Sequence, residues 1–132
     1  MDIFFAGMDW LPTVLGAIIA YALGWVWYSP KLFAYRWLNG VGLSVDDMSG
    51  PPIAAMAVQA LGTFLLAWMI GMAFANAMPA MAIVAVGSLI VLLASSGLYT
   101  QKKWSAIVIE VGYVLAMAAI MVGTHIAYVA ML

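Results

Sequence analysis

Four long apolar stretches, separated by prolines and short polar breaks, limit what this chain can fold into more than any other feature. A membrane-spanning helix needs about 20 mainly apolar residues to cross roughly 30 Å of hydrocarbon. Spans are expected over 11–29, 53–78, 80–99 and 105–131. Pro12 suits a first helical turn, where its missing N–H costs little. Trp25, Trp27 and Tyr28 form an aromatic belt at the far end of the first span, and Pro30 stops it. The second span lies between Pro52 and Pro79. Of the 132 residues, 68% are hydrophobic and 7% charged, whereas soluble domains are about 45–50% apolar and about 25% charged. A small soluble domain has too much surface for its volume to hide that excess, so the excess must face lipid. The expected fold is all-α: one transmembrane domain over residues 1–132, a bundle of four transmembrane helices with a short interfacial helix in the first cytoplasmic loop.

Charge placement orients the bundle. Of four basic and five acidic residues, only Glu110 falls inside a span. Lys31 and Arg36 lie between spans one and two, and Lys102 and Lys103 between spans three and four. In a four-span chain those loops share one side. The positive-inside rule puts them in the cytoplasm and both termini outside. Lys31 to Leu38 mixes Leu32, Phe33, Trp37 and Leu38 with the two basic residues and belongs at headgroup level. Ser44-Val45-Asp46-Asp47 has the form of a capping box opening a short helical turn, ended by Gly50-Pro51-Pro52. No basic residue precedes the apolar N-terminus, so a cleavable signal peptide is not expected. A net charge of −1 gives no field for nucleic acid. The absence of cysteine removes disulfides, thiolate metal sites and cysteine nucleophiles together.

Polar residues inside the spans are the next signal, because ionisable groups in hydrocarbon are expensive and usually face a bundle interior, a partner or water. Glu110 lies roughly 9 Å past Trp104 along its helix. On that helix Glu110, Tyr113, Met117, Met121, Thr124 and Tyr128 share one face, with His125 at its margin and Lys103 continuing it outward. Gln59 and Thr63 in span two, and Ser95 and Ser96 in span three, lie at a comparable depth. A polar cluster of Gln59, Thr63, Ser95, Ser96, Glu110 and Tyr113 is expected in the cytoplasmic half. Glu110 has three readings: a bond to Gln59 or a serine that fixes helix register, a protonated carboxyl, or a pair with Lys103. His125 is expected at the outer interface. Gly16, Ala20 and Gly24 form a small-residue packing face on the first span, and Gly112, Ala116 and Gly123 another on the last; both suit contact within a protomer or between protomers. Val111, Leu115, Val122, Ile126 and Val129 suit lipid.

Gly24-x-x-Trp27-Tyr28-Ser29-Pro30, followed by Phe33 and Trp37, resembles the signature of a domain-of-unknown-function family of small bacterial membrane proteins. Gly42-Leu43-Ser44 with Asp46, Asp47 and Met48, and Glu110 with Gly112 and Tyr113, fit the same resemblance. It implies a four-helix protein of the bacterial inner membrane and carries no catalytic assignment.

No nucleophile–base pair, metal-ligand cluster or glycine-rich phosphate loop is present in the sequence, so no catalytic residue, metal or cofactor is expected and an enzyme is not the reading. The expected function is that of a parallel homo-oligomeric accessory or scaffolding component, in contact with membrane lipids and with a possible membrane-protein partner. The alternatives are a small proton- or cation-linked transporter or channel using Glu110, and a protein binding lipid or a hydrophobic ligand.

Overall fold

The structure, a computed structural model, describes residues 2–44 and 52–132. Among them are five helices and no strand: α1 (Trp10–Trp27), α2 (Ala34–Val41), α3 (Ile53–Ala75), α4 (Pro79–Tyr99) and α5 (Trp104–Ala130). All but α2 are long and apolar enough to cross a membrane. At 1.5 Å per residue, 18 to 27 residues cover about 27 to 40 Å, which matches or exceeds the hydrocarbon thickness.

The connections explain where the helices stop. After α1, Ser29 Oγ donates to the Val26 carbonyl at 2.7 Å. The Ser29 carbonyl accepts from the N–H groups of Leu32 and Ala34, and Phe33 N–H reaches back to Trp27 O at 3.2 Å. The chain therefore doubles back under the end of α1. The interfacial helix forms at Ala34–Val41 and ends at Gly42, whose φ of 83° is the left-handed conformation glycine adopts without strain. The capping-box turn expected from Ser44 onward falls on 45–51, outside the described residues. The second expected span stops at Ala75 rather than at 78: Asn76 Nδ2 donates to Met72 O at 2.9 Å, Ala77 takes a φ of 50°, and Pro79 opens α4.

Helix α5 touches each of the other helices, α1 packs on α3 and α5, and α4 touches α3 and α5. The core is Ala20 from α1, Leu66, Ala67 and Ile70 from α3, and Tyr113, Met117 and Met121 from α5. The small face of α1 is used within the protomer. A Cβ at Gly16 would lie 2.9 Å from Thr124 Oγ1 and 3.2 Å from the Met121 backbone, and one at Gly24 would lie 2.6 Å from the Tyr113 hydroxyl. Ala20, between them, is fully buried. Such close approach is what small residues allow between membrane helices. Gly112 on α5 faces Trp27 at 3.2 Å, whereas Gly123 meets nothing within 4 Å. Ala116 is half-buried. Of the stripe expected to face lipid, Leu115, Ile126 and Val129 are exposed, while Val111 and Val122 are half-buried.

Enlarging Gly24 must push Tyr113 or the α1 backbone aside, and overpacking of this kind costs about 1–3 kcal/mol. Gly24→Ala is expected to lower the unfolding temperature in detergent clearly, and Gly123→Ala to leave it unchanged or raise it slightly.

Candidate functional site

The end of the bundle that carries Lys31, Arg36, Lys102 and Lys103, called the basic end below, is also where the sequence signature and the membrane carboxylate meet. Helix α5 begins after Lys103, and its second turn carries Glu110 inward toward the doubled-back segment after α1. Lys102 Nζ donates to both Glu110 oxygens, at 3.1 and 2.8 Å. Trp37 Nε1 donates to Glu110 Oε2 at 2.9 Å. The Glu110 side chain is 11% exposed and that of Lys102 26%. An ionised carboxylate is tolerated at low exposure only when its oxygens are paired and bonded, and here both are.

Aromatic rings close around this pair. Trp27 lies on Phe33 with ring centres 4.9 Å apart, and Tyr28 meets both Trp37 and Tyr113 edge to face at 5.6 Å. Trp27 Nε1 donates to Ile109 O at 3.0 Å, on the turn that carries Glu110. The Ser29-Pro30 turn makes this possible, because it brings Phe33 and then Trp37 back over the end of α1. Helix α2 is tied to the start of α5 twice more. Lys103 N–H donates to Gly40 O at 2.8 Å, and Lys103 Nζ donates to Asn39 Oδ1 at 2.7 Å. A Cβ on Gly40 would sit 2.5 Å from that of Ala106, so only glycine allows this seat. The interfacial helix is therefore clamped on α5.

The polar residues expected as one cluster divide into four groups. Gln59 Nε2 donates to the Tyr113 hydroxyl at 3.3 Å, and that hydroxyl donates to the Ala20 carbonyl at 2.8 Å. Thr63 is buried and its hydroxyl meets Met117 Sδ at 3.8 Å. Ser95 is half-buried and Ser96 exposed on α4, and neither hydroxyl bonds to another described residue. Glu110 bonds to none of these. Its cationic partner is Lys102 rather than Lys103, because the helix starts at Trp104 and the extended Lys103 backbone (ψ 151°) turns the preceding lysine back along the bundle.

At the opposite end, His125 differs from the expectation of an interfacial histidine. It is 2% exposed, stacks on Phe74 at 4.7 Å and 12°, and its Nε2 lies 3.3 Å from Thr13 Oγ1. The Thr13 hydroxyl donates to Asp9 O at 2.8 Å, so in its contact with the imidazole it accepts, which places the proton on Nε2. Gly71 leaves the space for this joint: a Cβ there would meet Thr13 Oγ1 at 2.7 Å. The sequence signal of this burial was the place of His125 at the margin of the α5 face that carries Tyr113, Met117 and Met121, all buried.

Fold and site together define a multi-pass membrane protein built as a four-helix bundle, closed at one end by a short clamped helix and a part-buried ion pair. Comparison with family models identifies the family: the chain belongs to the one described as "protein of unknown function (DUF1761)", whose model matches residues 11–126. Comparisons with curated proteins and with solved structures give no match. The matched range contains Gly24, Trp27, Trp37, Lys102, Glu110 and Tyr113, the residues that build the clamp.

Lys102→Met would leave a mostly buried carboxylate with Trp37 as its sole partner, at an expected cost of about 2 kcal/mol. Lys103→Met removes an exposed contact and should cost about 0.5 kcal/mol. Thermal unfolding of the two variants in the same detergent measures the difference; equal losses would mean that the Lys102–Glu110 pair does not hold the clamp.

Proposed function

We propose that the chain is a non-enzymatic accessory or scaffolding component of the bacterial inner membrane, a parallel homo-oligomer whose basic loops lie in the cytoplasm and whose termini lie outside. The observation that carries this reading is the packed middle of the protomer. Between the Glu110 clamp and the His125 joint lie Ala20, Leu66, Ala67, Ile70, Met117 and Met121, all buried. A conducting route needs polar lining or water along its length, and these side chains offer neither. Glu110 itself is engaged by Lys102 and Trp37, which suits a fixed clamp better than a site that loads and unloads. The placement of all four basic residues at one end supports a single orientation, and hence a parallel assembly.

Two other readings each keep one observation. Proton- or cation-linked transport keeps Lys102, exposed enough to swing toward water and free the carboxylate. Lipid binding keeps an open apolar groove of about 400 Å3 between α1 and α3, lined by Ala17, Ile18, Tyr21, Ala22, Trp25 and Ala60 among others.

Purified protein in liposomes loaded with a pH-sensitive dye tests the main reading. No proton or cation flux above empty vesicles is expected. Flux that disappears in Glu110→Gln would replace the scaffold reading with transport, and a lipid retained stoichiometrically through purification would favour the third. Orientation has its own measurement: alkaline phosphatase fused after Leu132 is expected to be active in cells, and a fusion in the loop after Thr100 inactive.

A further inference from the structure

Residues 2–9 precede α1 and fold back along α3, at the end of the bundle opposite the basic one. Gly7, with a φ of 73°, turns the chain beside Ala75, the last residue of α3; a Cβ on Gly7 would lie 3.9 Å from that of Ala75. Met8 reaches Gly71, where a Cβ would meet its Cε at 2.7 Å. Earlier on the same helix, Trp68 Nε1 donates to the Phe4 carbonyl at 2.8 Å. From Trp68 to Ala75 is about 10 Å of helix, so the segment lies against the last two turns of α3 as a hook.

The hook satisfies much of its own backbone. Asp2 Oδ1 accepts from the N–H groups of Phe4 and Phe5 at 3.0 and 3.2 Å. Ala6 N–H donates to Asp2 O, and Met8 N–H to Phe5 O. Its rings join a cluster: Phe5 lies 5.3 Å from Trp68 and 6.2 Å from Trp10, and the two tryptophans are 5.9 Å apart. The other sides of Ile3, Phe4 and Phe5 stay open, at 53%, 55% and 56% exposure. The height of the hook decides what covers them. Thr13 is level with Gly71, so α1 starts at the height where α3 ends. The 18 residues of α1 cover about 27 Å, slightly less than the roughly 30 Å of hydrocarbon. Measured from Trp27, in the aromatic belt of the basic end, hydrocarbon therefore reaches Trp10 and just beyond it. A hook beside the last two turns of α3 sits where acyl chains meet headgroups, and Trp10 and Trp68 supply the aromatic belt of this end.

We propose that residues 2–9 are an interfacial anchor whose partner is the lipid of the leaflet opposite the basic end, with Ile3, Phe4 and Phe5 resting among acyl chains just beneath the headgroups. Interfacial segments bury an apolar side about 5–10 Å into this boundary, which is the depth over which the hook touches α3. The bonded N–H groups suit that place, since an unpaired backbone group near hydrocarbon is costly. The anchor also fixes the height of α1, the shortest of the four spans, because the chain runs from the hook straight into its first turn. The inference needs neither an oligomer nor an assignment of sides, so it stands or falls apart from the scaffold reading.

The absence of cysteine allows a single nitroxide label to report depth. The full chain carrying Ile3→Cys or Phe5→Cys is labelled and reconstituted in vesicles of phosphatidylethanolamine and phosphatidylglycerol. Collisions of the label with oxygen, which concentrates in lipid, are compared with those of a water-soluble nickel complex. Leu115→Cys, exposed in the middle of α5, and Met131→Cys, exposed just past its end, give the lipid and water references. Labels at 3 and 5 are expected to favour oxygen, at a depth between the two references. Trp68→Phe, which removes the indole N–H, is expected to raise nickel collisions at 5 toward the Met131 value while the Leu115 label stays unchanged. Nickel-dominated collisions at 3 and 5 in the otherwise wild-type chain would overturn the anchor, since the rings would then face water. Low collisions with both reagents would overturn it as well, because the rings would be covered by protein. An unchanged label at 5 in Trp68→Phe would overturn the indole bond as the tether of the hook.

Discussion

The packing of α1 on α5 is what the remaining structure depends on. Tyr113 reaches across the gap left by Gly24 and donates to the Ala20 carbonyl, a backbone group already inside a helix. That bond holds the tyrosine ring where Tyr28 and Trp27 can pack on it. These two residues in turn set the direction in which the chain leaves α1, so Phe33, α2 and Trp37 follow from it. Glu110 sits three residues before Tyr113, and its position beneath Trp37 is a consequence of the same helix rotation. In a bilayer there is little hydrophobic drive between helices. Contacts that need two backbones close together, with a polar group satisfied between them, therefore carry more of the specificity than apolar area does.

Much of this was legible in the residues. Apolar length and proline punctuation were enough for the four spanning helices, because the bilayer imposes a length that few other constraints match. The packing role of Gly16, Ala20 and Gly24 followed from their spacing, though spacing alone could not say whether the partner was another helix of the same chain. The signature around Trp27-Tyr28-Ser29-Pro30 and the Glu110-x-Gly112-Tyr113 stretch were each visible, and their meeting in space was not. That meeting depends on the turn after Ser29, a matter of three backbone hydrogen bonds with no side-chain periodicity behind them. Depth grouped Gln59, Ser95 and Glu110 together. Helix rotation and the start of α5 then separated them, and a shift of one residue decided between Lys102 and Lys103. His125 shows the same limit from the other side, since burial by Phe74 and Thr13 is a property of three helices and of no single one.

The clamp also changes how the charges at the basic end count. Lys102 is bound to Glu110 and Lys103 to Asn39, so the two lysines that look alike in sequence do different work. One neutralises a carboxylate inside the bundle, and the other fastens α2 from outside. Among the described residues, Arg36, on the exposed side of α2, and Lys31, before that helix, are the basic charges of this end left facing the surroundings. A loop that reads as a simple basic tether is in part an internal structural element.

One consequence concerns time rather than space. Tyr113 and the Ala20 carbonyl are 93 residues apart in sequence, and Trp37 and Glu110 are 73 apart. Contacts of such separation form late, because the intervening chain must be in place first. During synthesis α1 and the segment carrying Trp37 emerge well before α5 exists, so the first helix waits through the insertion of two others without its principal neighbour. The acidic residue that would be hardest to leave alone in hydrocarbon arrives on the last helix, with Lys102 made just before it and every other partner already present.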